Sequence, residues 1–136
     1  MKNKKIIIDT NVWISFFLKD PLAVYDLVTN HHLVVFACEQ LRDELNEVMR
    51  RKKFKKYFSE TDIENALIIF DELTNFVVLK EDYFGSPDPK DNFLFALAKQ
   101  TKAKILITGD RKLQSFETDF VKTISLTAFK RDNLTP

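Results

Sequence analysis

Short apolar runs alternate along the chain with longer stretches in which apolar residues return every three or four positions. The runs KIIID (5–9), LVVFA (33–37), FVVLK (76–80), KILITGD (104–110) and FVKTIS (120–125) predict strands. The intervening periodicity predicts helices over 12–19 and 22–29, parted at Pro21, and over 39–56, 61–75, 89–101 and 111–116. Strands and helices alternating in this way build an α/β fold, a central, mostly parallel sheet of four to five strands flanked by helices. Ile6, Ile7 and Ile8 do not alternate between polar and apolar neighbours, so the first strand should be covered on both faces, as a central parallel strand is.

At 136 residues, 45% hydrophobic and 30% charged, the chain suits one compact domain over 1–136 with a single core. A formal net charge of +1 gives no global attraction to nucleic acid or membrane, so an anionic ligand must be recruited by a local patch. Cys38 is the sole cysteine and has no disulfide or zinc partner; no apolar stretch approaches the roughly 20 residues of a membrane span. The lysine-rich start lacks the apolar length and cleavage site of a signal peptide, and a cytoplasmic location is expected. With only Gly85 and Gly109, the chain lacks the glycine needed for a dinucleotide fingerprint or a P-loop.

Four acids stand at chemically suggestive places. Asp9 and Asp110 each end a predicted strand, and in open α/β sheets ligands bind outside those carboxyl ends. Each also stands where a side chain caps the following helix. Glu44 borders the apolar stripe formed by Leu41, Leu45, Val48 and Met49, with no cation one turn away, whereas Glu47 has Arg51 at i+4 as an ordinary ion-pair partner. Asp91 lies in the first turn of a helix opened by Asp88 and Pro89, where an acid also favours the helix dipole. Taken jointly, the four read as a carboxylate cluster, whose mutual repulsion a hard divalent cation would relieve. Oxygen donors select magnesium or manganese over zinc, and the adjacent His31 and His32 read as loop residues.

The segments IIIDTNVWIS, ELNEVMRRKKF, DPKDNFLFALA and ILITGDRKL, in this order and spacing, resemble PIN-domain ribonucleases, in particular toxins of toxin-antitoxin systems. The resemblance spans essentially the whole chain and implies a PIN-like three-layer sandwich. It implies that Asp9, Glu44, Asp91 and Asp110 form an acidic centre for Mg2+ or Mn2+, supported by Thr10, Asn11 and Thr108, whose hydrogen bonds would hold the carboxylates. Asp88 either supports the metal ligands from behind or caps the turn that orients Asp91, and the cap is the favoured expectation. The implied reaction is hydrolysis of RNA phosphodiester bonds to a 5'-phosphate and a 3'-hydroxyl, and the implied partners are an antitoxin protein and a second copy of the chain in a homodimer. Arg50, Arg51, Lys52, Lys53, Lys55 and Lys56 surround Phe54 and are expected to contact RNA phosphates, the alternative being a helix carboxyl end where cations oppose the dipole, with Phe54 entering the core. Thirteen phenylalanines are a heavy load; WISFF and FLF are not expected to point wholly inward, which leaves some aromatics to cover a partner. A haloacid-dehalogenase-type phosphohydrolase would need an aspartate where Asn11 stands, and a receiver-like, non-catalytic magnesium-holding module would need an acidic pair where Thr10 and Asn11 stand.

Overall fold

The computed structural model describes residues 4–134. Strands β1 (Lys4–Ile8), β2 (Leu33–Ala37), β3 (Thr74–Phe76), β4 (Ile105–Ile107) and β5 (Lys122–Ile124) form one sheet in the order β3-β2-β1-β4-β5. Every neighbouring pair is parallel, and Ile6 lies opposite both Val35 of β2 and Ile105 of β4. Ile6, Ile7 and Ile8 are wholly buried, as their unbroken apolar run requires of a central strand.

The helices are α1 (Thr10–Lys19), α2 (Pro21–Asn30), α3 (Glu39–Met49), α4 (Glu60–Leu73), α5 (Asn92–Thr101), α6 (Arg111–Gln114) and α7 (Leu126–Asn133). Right-handed crossovers sort them into layers. The connections β1-α1-α2-β2 and β2-α3-α4-β3 step the same way across the sheet, so α1 to α4 share one face. The connection through α5 steps back past β1 to β4, which places α5 on the other face, where it packs on β1, β2 and β4. The direction of strand order therefore reverses between β1 and β4, and the topological switch point lies at their carboxyl ends.

Aromatic burial is greater than the sequence pattern suggested. Trp13, Phe16 and Phe17 of WISFF are all buried, because α1 is enclosed by α2 and α3 as well as by the core. Trp13 meets Phe70 edge-on at 4.9 Å and stacks on Phe17 at 5.9 Å. Phe95 of FLF is wholly buried against Phe116 and Tyr83, and Phe93 is half-buried against the same core. The exposed aromatics are others: Tyr25, Tyr57, Phe76 and Phe84.

Several boundaries differ from the periodicity, and one helix lies outside it. The first helix begins at Thr10, because Asp9 caps it. The third ends at Met49 and does not continue to residue 56: cations fill six of the seven positions 50–56 and would repel one another at i, i+3 and i, i+4 along a helix. Arg51 is instead extended (φ −64, ψ 149), and a 3-10 turn at Lys52–Phe54 brings Phe54 back towards Phe58. The third strand stops at Phe76, and beyond it the side-chain amide of Gln100 donates to Val78 O and accepts from Lys80 N, both at 2.8 Å. Helix α7, absent from the periodicity because Phe129 is its one fully buried side chain, starts on a Ser125 hydroxyl that accepts from Ala128 N at 3.0 Å.

Candidate functional site

Asp9 follows β1 directly and is 4% exposed. Its Oδ1 accepts from Thr10 N at 2.7 Å, and its Oδ2 accepts from Thr108 Oγ1 at 2.8 Å and Asn11 Nδ2 at 3.2 Å. Capping and site-building are thus done by different oxygens of one carboxylate. Asn11 reaches across the switch point, its Oδ1 accepting from Gly109 N at 3.0 Å, and Asp9 N donates to Ile107 O at 2.9 Å. A Cβ at position 109 would stand 3.3 Å from Asn11 Oδ1, so glycine leaves room for this approach. Burial pushes the Asp9 carboxyl up from its ordinary range; the Thr108 and Thr10 hydrogen bonds oppose this, and the charges of Glu44 and Asp110 add to it.

Asp110 caps α6 through Lys112 N at 2.8 Å, and its own N–H donates to Thr108 Oγ1 at 3.1 Å. One threonine hydroxyl therefore links Asp9 to Asp110. Asp91 closes a 3-10 turn (Pro89–Asp91) that Asp88 caps by accepting from Lys90 N at 3.2 Å. Asp91 is 8% exposed, and its carboxyl is pushed up to about 6 by burial first, then by the charges of Asp9, Asp88 and Glu44. Glu44 is half-buried on α3.

Asp9, Glu44, Asp91 and Asp110 line one cleft of about 420 Å3, brought together from four segments. Among the described residues, no three Asp, Glu, His or Cys side chains are arranged to enclose a metal ion directly. The donors still fit a hydrated hard ion, which keeps several waters and needs few protein oxygens. All four acids are oxygen donors, two of their carboxyls carry an ionisation penalty that a cation would offset, and Thr10 Oγ1 is buried on the cleft wall without a hydrogen-bond partner. Thr10 consequently supports Asp9 through its backbone N–H, whereas Asn11 and Thr108 do so through their side chains.

The basic segment divides. Arg51 and Lys53 line the cleft, while the guanidinium of Arg50 is held by both oxygens of Glu60 at 2.6 and 2.8 Å. Lys52, Lys55 and Lys56 are exposed and do not line the cleft. Phe54 is half-buried and faces both the core and the cleft. Lys90 also lines it and was not anticipated; its position between Asp88 and Asp91 was the available signal. His31 and His32 sit in the turn before β2, at the opposite end of the strands from the acids. A larger cavity, about 480 Å3, lies beside Phe116 and Phe120, but its acids Glu117 and Asp119 are exposed.

Residues 5–112 match a family model described as PIN domain. Among solved structures, VapBC2 from Rickettsia felis, bound to a DNA fragment from its promoter, is similar at 14% identity with a TM-score of 0.59, covering 88% of this chain and 96% of that one. The PIN domain endonuclease Utp24 is matched at 19% identity and TM-score 0.48 over 80% of this chain and 73% of that one. The PIN domain of human SMG5 is matched at 13% identity and TM-score 0.49 over 93% and 96%. No curated protein matches the sequence.

Proposed function

The chain belongs to the PIN domain family, and from that premise we propose that it is a magnesium- or manganese-dependent endoribonuclease, the toxin of a toxin-antitoxin pair. The observation that carries the reading is the convergence of Asp9, Glu44, Asp91 and Asp110 on one cleft at the sheet's switch point. Asp9, Asp91 and Asp110 serve as metal ligands, and Glu44 as a further ligand or as the base that takes a proton from the attacking water. A bound cation would supply Lewis acidity and offset charge at the scissile phosphate. Thr108 and Asn11 fix the Asp9 carboxylate before substrate arrives, so no reorientation is required of it. Water as nucleophile leaves a 5'-phosphate and a 3'-hydroxyl.

Exposed Leu18, Leu22 and Tyr25 on α1 and α2 support association with an antitoxin, the kind of assembly represented by the VapBC2 complex, or with a second copy in a homodimer. Calorimetric titration of manganese into the metal-free protein and an Asp9→Asn variant tests the site. Heat in the wild type that falls at least tenfold in affinity in the variant is the expected result, followed by cleavage of RNA only in the wild type. Equal manganese affinity in the two proteins would refute the assignment of Asp9.

A further inference from the structure

The acids repel phosphate, so a strand crossing them must be held by cations close by. Arg51 and Lys53 come from the turn after α3, and Lys90 comes from the turn before α5; all three line the cleft. Their acidic neighbours hold them loosely. Arg51 stands 3.9 Å from Glu47 and Lys90 3.7 Å from Asp88, both with exposed side chains, and the ammonium of Lys53 lies 5.0 Å over the Phe54 ring. Such contacts contribute little and leave N–H donors for another anion. Arg50, by contrast, is committed to Glu60.

The adjoining cavity has the opposite character. It measures about 360 Å3, shares Asn11, Ser15 and Asp110 with the cleft, and has no lysine or arginine in its walls, which include Ser125 and Leu126. A groove with cations in one compartment and, in the next, polar and apolar groups with Asp110 as the one charged side chain suits a chain that is charged along its backbone and uncharged at its bases. A single strand, whose bases are not already paired, can place phosphate in one compartment and a base in the next.

Resting on the nuclease reading, we propose that Arg51, Lys53 and Lys90 grip consecutive phosphates of a single-stranded nucleic acid, and that a neighbouring nucleoside enters the cation-free cavity beside Ser15. Lys52, Lys55 and Lys56 make no such contact. The clamp is therefore assembled from two distant turns and is not the basic run as a whole.

Fluorescence anisotropy with fluorescein-labelled decauridine in EDTA, where hydrolysis is suppressed, tests this across 50 to 200 mM salt. Each phosphate contact contributes about −0.7 to the slope of log K against log salt for a single strand. An Arg51→Ala, Lys53→Ala, Lys90→Ala triple variant is expected to flatten the slope by about 2, and a Lys52→Ala, Lys55→Ala, Lys56→Ala triple variant by less than about 0.5. Equal flattening in both, no flattening in the first, or no binding by the wild type would overturn the clamp. An unlabelled duplex that competes as well as the single strand would overturn the single-strand assignment. Manganese calorimetry on the same proteins separates the two readings: intact metal binding with an unchanged slope removes the clamp alone, whereas lost metal binding in the wild type removes the nuclease reading.

Discussion

Thr108 is wholly buried and uses one hydroxyl in two directions, donating to Asp9 and accepting from the Asp110 amide. Thr108→Val keeps the shape, removes one of the three hydrogen bonds to the Asp9 carboxylate and leaves the Asp110 amide without its acceptor, so a loss of roughly 1–3 kcal/mol is expected in urea unfolding, together with weaker manganese binding. Asp91 contributes to the pH dependence of the metal-free protein, as does Asp9, whose carboxyl is also pushed up by burial. The folded Asp91 carboxyl titrates at about 6 against an ordinary value of 3.8, so between these values the folded state binds the proton more tightly. Stability therefore falls as pH rises from about 4 to 6, levels off above, and is unaffected by this group below the unfolded value. Asp91→Asn should abolish that part of the slope and raise the neutral-pH melting temperature in EDTA by roughly 4 °C, about 1 kcal/mol at this chain length after allowing for solvent at the cleft mouth. A variant with the wild-type pH slope would show that the penalty lies elsewhere. The strand-end acids Asp9 and Asp110 were legible in the sequence because a carboxylate stops an apolar run there. The Thr10 hydroxyl's lack of a partner was not legible, since it depends on a backbone turn and not on residue type.

At the scale of elements, periodicity located four of the five strands and all but one helix among the described residues, met β3 only at Phe76, and failed where side chains from elsewhere replace local pattern. FVVLK has strand composition, yet only Val77 N continues the ladder, to Ala37 O, before the Gln100 amide takes over Val78 and Lys80. That glutamine on α5 stands in for a neighbouring strand, a substitution that no window on 76–80 can reveal. Gln100→Ala is expected to speed amide exchange at Lys80 at least tenfold while leaving β1 amides protected, because two exposed hydrogen bonds are lost and no core is opened. Unchanged exchange at Lys80 would mean that this segment is held by other contacts. The length of α3 was misjudged for an electrostatic reason, since its RRKKFKK tail reads as good helix former residue by residue and as poor helix only when the charges are summed.

For the whole molecule, a net charge of +1 conceals a separation of charge: acids at the switch point, and cations gathered at two turns beside it. The parallel order β3-β2-β1-β4-β5 brings this about, because it sets β1 and β4 side by side although Asp9 and Asp110 are far apart in the chain. The same arrangement has a consequence during synthesis. A ribosome that has delivered β1, β2 and β3 has made a protein with Asp9 and Glu44 but no neighbour on one side of its central strand. Thr108, which orients Asp9, and Asp110, which completes the acidic wall, arrive only after the α5 crossover. The acidic cleft is therefore incomplete until translation of the domain is nearly finished, and an interrupted message releases a fragment that lacks two of its four acids.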